Sequence, residues 1–447
     1  MTKELKNELA LVMTPARAAV LADHRSTVDV LIRVQAPPQP EKDRPARGPV
    51  HVALVVDRSG SMSGQPLAEA KRCARMVVDG LNPGDKATIV AYDDSVDCMT
   101  GLLGMDQRDT LRRAIDRIDE GGCTNLHGGW LAGAETLAPH TGAGILSRVI
   151  LLSDGCANRG LTEPGQIADQ VAQLVDAGVT TSTYGLGHHF NEELMTAMAD
   201  AGRGNAYYGQ SADDLADPFL EELALMGALC AREVELLVET AAGISAKVLN
   251  GYRRGSRGGW RLPDVAYEGE AWAVLQLTVE AGNATVGEVR DLVKVRAAWR
   301  DLDGTEHETS PESLALPAMP AAAYAAMAED ELVRRRVNEL VVAGMQQTAR
   351  EGARRGDWNA VNLVLAEARQ MAADNPWLES VVEELEGLAR QRDEMMFAKE
   401  AMYSSRRMRS RLASHAEVVD PARMDGPDYL RRKRAQGKAE PGRRDPR

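Results

Sequence analysis

Aromatic residues are scarce. Phe, Trp and Tyr make up 4% of the 447 residues, against 44% hydrophobic residues in all, so any core must be packed chiefly from aliphatic side chains. Long apolar runs are missing too. No window approaches about 18 consecutive apolar residues, which excludes a membrane-spanning helix. The opening MTKELKNELALVMTPARAAVL has no sustained apolar stretch and no small-residue cleavage site, so no secretory leader is expected. Cys73, Cys98, Cys123, Cys156 and Cys230 are odd in number, scattered and never spaced C-x-x-C. That pattern argues against a disulfide framework and against a zinc site. A reduced cytoplasm is the expected setting.

The net charge of −13 conceals an asymmetry. From Ser404 to Arg447 there are 13 Lys/Arg against 6 Asp/Glu, which leaves 40 basic and 60 acidic residues elsewhere. An acidic body argues against a nucleic-acid-binding core, because neutralising phosphates takes clustered Lys and Arg. The basic end, residues 413–447, is poor in apolar residues and reads as a disordered, solubilising tail.

The length calls for two or three domains. In residues 26–35, Val28, Val30, Ile32 and Val34 fall on one face of a strand, with Thr27, Asp29 and Arg33 opposite. A Pro-rich charged linker follows over residues 36–49. From Val50 the texture becomes strand and helix in alternation. HVALVVD is a near-continuous apolar strand of the kind buried on both faces in a parallel sheet. KATIVAY, SRVILLS and VTTSTYGLG are further strands, AYYGQ a final short one, and helical patterns lie between them. This predicts a doubly wound, mostly parallel α/β sheet over 49–227. Between 228 and 310 alternation returns at Val234, Leu236 and Val238, around Trp272–Val279, and at Val293 and Val295. It reads as a small antiparallel β-sandwich that segment 1–48 completes with one strand, the α/β unit being inserted between. After the Pro- and Ala-rich S-L-A-L-P-A-M-P, residues 320–412 read as helical. Val333, Val337, Leu340, Val341 and Met345 sit at helical spacing, then Trp358, Val361, Leu365 and Ala368, then Leu378, Val382, Leu385 and Leu388.

Three short segments carry chemistry, and each lies at the end of a strand or the entry to a helix. They are Asp57-Arg-Ser59-Gly-Ser61-Met-Ser-Gly, then Gly121-Gly-Cys-Thr124-Asn, and Leu152-Ser-Asp154-Gly. In open α/β sheets the loops past the carboxyl ends of the strands converge on one crevice. These three loops would bring two carboxylates and three hydroxyls together. Hard oxygen donors without imidazole or thiolate suit Mg²⁺, Ca²⁺ or Mn²⁺ and are poor for zinc or copper. Hydroxyls in place of carboxylates leave such an ion under-neutralised, so it attracts one more anionic oxygen from outside. Gly60, Gly64 and Gly155 would let tight turns approach it.

D-R-S-G-S-M, with Asp57, Ser59 and Ser61, resembles the D-x-S-x-S signature of the metal-ion-dependent adhesion site of von Willebrand factor A domains. Thr124 in G-G-C-T-N and Asp154 in L-L-S-D-G fall where that family places its other two ligands. G-L-G-H-H-F-N-E-E-L and A-G-R-G-N-A-Y-Y also resemble cytoplasmic bacterial members. The resemblance spans about residues 50–225. It implies a Rossmann-like fold and a cation, Mg²⁺ or else Mn²⁺ or Ca²⁺, that the hydroxyls of Ser59, Ser61 and Thr124 touch directly. Asp57 and Asp154 would bind partly through water.

Other features are weaker. Adjacent His188 and His189 point to opposite sides of an extended segment and read as a surface turn. Ser61 lacks the G-x-S-x-G elbow of a hydrolase, and G-S-M-S-G lacks the Gly-Lys-Ser/Thr of a phosphate loop. The second carboxylate of an aspartyl phosphatase is replaced by Ser59. Lys71, Arg72 and Arg75 read as a solvated helix face. The leading expectation is therefore a non-enzymatic adaptor, binding an Asp or Glu of a protein partner through the cation. The alternatives are a metal-dependent hydrolase or phosphatase, or a structural ion with binding through the helical region.

Overall fold

The computed structural model describes residues 8–22, 24–39, 48–154, 157–186, 190–209, 211–280, 285–410 and 412–414. Cys156, Gly155, the His188–His189 pair and nearly all of the basic tail lie outside them. The described residues of Arg44–Ala228 form one compact unit, and those of Met1–Asp43 and Leu229–Arg432 form another. The α/β unit is thus an insertion between the two halves of the other.

In the α/β unit we label the parallel strands β1 (Val50–Asp57), β2 (Lys86–Tyr92), β3 (Leu146–Ser153), β4 (Val179–Leu186) and β5 (Arg203–Gly209). They lie in the order β5-β4-β3-β1-β2, and Val96–Cys98 and Leu103–Gly104 add antiparallel pieces beside β2. Every residue of β1 and of β3 is buried, as an apolar run covered on both faces requires. The helices are α1 (Gln65–Gly80), α2 (Arg108–Asp116), α3 (Leu126–Leu137), α4 (Pro164–Asp176), α5 (Glu192–Ala201) and α6 (Ala212–Ala228). The chain leaves β1 towards β2 and returns to β3 on the other side of β1. The topological switch, where such sheets open a crevice, falls between β1 and β3. Register sets Asp57 opposite Tyr92, and Val56 opposite Leu152.

The other unit packs a five-stranded sheet on a seven-stranded one. Ser26–Gln35 pairs along its whole length with Gly269–Val279, from Ser26 opposite Val279 to Gln35 opposite Glu270. Val28, Val30, Ile32 and Val34 enter the sandwich core. The opposite face is not simply polar: Leu31 packs with Trp272, Val274, Val333 and Leu340 beneath the helix Glu331–Arg354. Helices Trp358–Ala372, Pro376–Gln391 and Glu394–Ser410 complete that region. Two strands depart from expectation. Ala10–Pro15 extends the five-stranded sheet beside Ser26–Gln35. Glu312–Met319, which the sequence presents as a Pro/Ala connector, joins the larger sheet against Val289–Arg300. Its Pro317 lies near the strand end, where one missing donor costs the ladder least. Among the described residues, no helix is long and apolar enough to cross a membrane.

Candidate metal centre

The loop after β1 turns through a short 3-10 helix, Gly60–Met62, with Ser59 at its start. Asp57, at the last position of β1, is fully buried and Ser59 nearly so. One Asp57 oxygen, Oδ1, accepts the Ser59 amide at 2.9 Å. The other, Oδ2, accepts the Tyr92 hydroxyl at 3.2 Å and the Ser153 hydroxyl at 2.6 Å. Burial raises the Asp57 pKa above the usual carboxylate value, and the hydrogen bonds from Ser153, Ser59 and Tyr92 offset this only in part. From Asp57 the donor set runs outward. Ser59 Oγ and Ser61 Oγ lie 3.1 Å apart, and exposed Ser61 donates to Asp154 Oδ1 at 3.0 Å.

Thr124, buried like Ser59, reaches the same place through its backbone. Gly60 donates to the Gly122 carbonyl at 2.8 Å, and Gly121 to the Arg58 carbonyl at 2.7 Å, which zips the two loops together. The Thr124 amide donates to Asn158 Oδ1 at 2.8 Å, and its carbonyl accepts the amides of Asn158 and Arg159 at 3.1 and 3.2 Å. The stretch after β3 is thereby tied to the Thr124 loop. All three loops of the expected donor set therefore meet. The close approach rests on other glycines than Gly60, where an added Cβ would find ordinary contacts at 3.6 Å. A Cβ on Gly121 would collide with the Asp93 carboxylate, and one on Gly122 with that of Asp94. Gly64 does adopt a left-handed conformation, at φ 76°.

Residues outside the motif support it. Ser153 lies within the L-L-S-D-G segment itself, where a hydroxyl one position before the aspartate was the available signal. Asp93 is 8% exposed, and its carboxylate accepts the Ser95 amide and hydroxyl, both at 2.8 Å, the Gly122 amide at 3.2 Å and Arg58 at 3.3 Å. Burial would raise its pKa, but these hydrogen bonds outweigh burial and hold it at about 2. The basic face of α1 is exposed yet paired. Arg75 meets Asp116, Arg72 meets Asp213 and Glu69, and Lys71 donates to the Asp116 carbonyl. Among the described residues no three His, Cys, Asp or Glu side chains gather as a metal cluster of their own. Asp57, Ser59, Ser61 and Asp154, with the Thr124 loop tied in beside them, offer hard oxygens that would fit a Mg²⁺-like cation and would not suit a soft one.

An open, mostly parallel sheet with an oxygen-donor cluster at its switch point, spliced into a β-sandwich with helices behind, defines the class of this protein. Residues 51–221 match the von Willebrand factor type A domain, and the chain carries such a domain. Among curated relatives, the uncharacterized protein YfbK of Escherichia coli K12 is 29% identical over 192 residues, 42% of this chain and 33% of its own length. Inter-alpha-trypsin inhibitor heavy chain H1 of Sus scrofa is 28% identical over 194 residues, 39% of this chain and 22% of its own. The chain thus spans a third or less of the length of these two relatives. A solved von Willebrand factor type A protein from Catenulispora acidiphila superimposes with a TM-score of 0.70 at 18% identity, covering 90% of this chain and 98% of that one. The ArnB paralog VWA2 from Sulfolobus acidocaldarius gives 0.60 at 18% identity, over 90% and 99%. The fold shared with these two structures takes in the sandwich and helices as well as the inserted domain.

Proposed function

We propose that this protein is a metal-dependent protein-interaction module, an adaptor that holds an Asp or Glu carboxylate of a partner protein through a cation bound by Asp57, Ser59, Ser61, Thr124 and Asp154. The observation that carries the reading is the continuous Ser59–Ser61–Asp154 chain of oxygens, 3.1 and 3.0 Å apart, in front of a buried Asp57. Mg²⁺ is the expected ion, with Mn²⁺ or Ca²⁺ accepted by the same donors. Bound there, the cation supplies an incompletely neutralised position that an anionic oxygen completes. The chain's own residues hold that position. Asp57 is fixed by neutral donors of Ser59, Tyr92 and Ser153, and Ser61 sits at the exposed end where a partner arrives. The described cysteines Cys73, Cys98, Cys123 and Cys230 are free thiols, which fits a cytoplasmic location.

A hydrolase reading is weaker. Among the described residues, the hydrogen bonds of Ser59 and Ser61 run to each other, to Asp57 and to Asp154, and include no histidine that could act as general base. Calorimetric titration with Mg²⁺ or Mn²⁺ tests the site: Asp154→Ala abolishes binding while the sheet stays folded. Unaltered affinity in that variant overturns the assignment. Capture of partners with and without chelator tests the function. Loss of the coordinating carboxylate costs about 2–5 kcal/mol, about thirtyfold or more in affinity. Ser59→Ala combined with Ser61→Ala reproduces the chelated state. A partner that binds this double variant in chelator as tightly as it binds wild type in Mg²⁺ redirects attention to the helical region.

A further inference from the structure

Asp93 is not one of the five donors, yet it holds the loops that carry them. It follows β2 directly. Its carbonyl accepts the Asn125 amide at 2.9 Å, immediately after Thr124, and its carboxylate accepts the Gly122 amide at 3.2 Å, immediately before Cys123. On the other side the carboxylate takes Arg58, the residue between Asp57 and Ser59. Ser95 closes the turn beneath it through its amide and its hydroxyl. The pair Gly121-Gly122 is what lets the carboxylates of Asp93 and Asp94 come this close.

We propose that Asp93 is a positioning residue of the cation site: it locks the Arg58–Ser61 loop to the Gly121–Asn125 loop and keeps the Arg58 guanidinium turned away from the donors. The proposal rests on the function read above. Neutral hydroxyls are weak donors, so the affinity of such a site depends on holding them in place before the ion arrives. Arg58 adds a second reason. It lies one residue from Asp57 and one from Ser59, and a loose guanidinium there would repel a dication at close range. Instead Arg58 Nη2 is engaged by Asp93 at 3.3 Å, by Ser95 Oγ at 3.1 Å and by Asp97. Asp93 thus serves the site through geometry and through charge.

The test is calorimetric titration of the full chain with Mn²⁺, alongside thermal unfolding in chelator. Asp93→Ala weakens Mn²⁺ binding about 10–100-fold, the usual cost of losing an outer support of a metal ligand. Asp93→Asn keeps an acceptor oxygen for Gly122 and removes one of the two charges facing Arg58, that of Asp97 remaining, and falls between. Adding Arg58→Ala to Asp93→Ala recovers part of the affinity, although it removes yet another contact and so gains no metal-free stability. A merely structural Asp93 gives no such recovery. Binding within about twofold of wild type in Asp93→Ala overturns the proposal, as does a loss that Arg58→Ala leaves in place or deepens. Should Asp93→Ala fail to fold, Asp93→Asn with and without Arg58→Ala carries the same comparison. Failure of wild type itself to bind Mn²⁺, or equal binding by Asp154→Ala, overturns the metal-site reading instead, and this inference with it.

Discussion

Asp57 and Glu222 are both fully buried in the α/β unit. Asp57 ends β1, while Glu222 projects from α6 to meet Arg148 near the start of β3. Their partners differ in kind. Glu222 faces the Arg148 guanidinium and accepts Ser182 and Asn205 at 2.6 Å and Tyr207 at 3.2 Å. Burial alone would raise its pKa, but the charge of Arg148 and the hydroxyl and amide donors outweigh it, and the pKa is lowered. Asp57 receives the hydroxyls of Ser153, Ser59 and Tyr92 and the Ser59 amide, all neutral, and its pKa is raised. Neutral donors solvate a carboxylate without cancelling its charge. Arg58, the cation nearest in sequence, is engaged by Asp93 and Asp97 instead. One carboxylate is thus neutralised from within, and the other has only neutral donors about it, as the proposed cation site requires.

The comparison breaks most visibly at Glu222. Removing one member of a buried pair strands the other, at a cost of about 3–5 kcal/mol. Glu222→Ala should lose that much in urea denaturation, equally with Mg²⁺ and with chelator. A loss that Mg²⁺ changes would tie this network to the cation site and dissolve the contrast. The expected effect at Asp57 is smaller and of another kind. In Asp57→Asn, the amide oxygen still accepts from Ser59, and the hydroxyls of Tyr92 and Ser153 can accept from the new NH₂. Metal-free stability therefore stays within about 1.5 kcal/mol of wild type, the net worth of a typical hydrogen bond. What disappears is the stabilisation by the ion, about 2.7 kcal/mol in wild type at a hundredfold excess over Kd. Thermal unfolding with and without Mg²⁺ reads both quantities.

Local pattern carried much of this structure. The apolar run of β1, the alternation of Ser26–Gln35 and the helical spacing from Val333 onward each mark one element, because burial repeats with the period of the element. The motif residues stood out because they cluster at two strand ends and one helix entry. What periodicity omits is the identity of distant partners. Ser153 meets Asp57 across 96 positions of sequence and Arg148 meets Glu222 across 74. Ser153 is marked only by its place in L-L-S-D-G, which does not name Asp57 as its partner, and Arg148 carries no local mark at all. Asp93 looks like one acid in the D-D-S-V-D turn until the Gly121-Gly122 loop is laid on it. Glu312–Met319 was hidden for the opposite reason. Its proline and alanines read as a connector, and its strand conformation comes from Val289–Arg300 beside it.

The smallest effect sharpens the contrast most, because its sign differs between the two carboxylates. A group that is more acidic folded than unfolded adds stability above its unfolded pKa, and that stability is lost as pH falls through the folded value. Glu222 is such a group, lowered from 4.5, and so is Asp93, at about 2. Asp57 is raised from 3.8, so without metal the folded state holds its proton more tightly than the unfolded chain does. Its contribution therefore declines as pH climbs from about 4 through the folded value. Each tenfold difference in proton affinity is worth about 1.4 kcal/mol. The stability gap between wild type and Asp57→Asn, followed in chelator from about pH 4 to 7, should move against wild type and then level off. The gap between wild type and Glu222→Gln should move in favour of wild type as pH rises towards 4.5 and stay there. Saturating Mg²⁺, which on the proposed function binds the ionised carboxylate, should abolish or reverse the Asp57 slope and leave the Glu222 slope alone. Two gaps that slope the same way in chelator would mean that Asp57 already has a countercharge within the fold. The cation would then have no unbalanced carboxylate to answer.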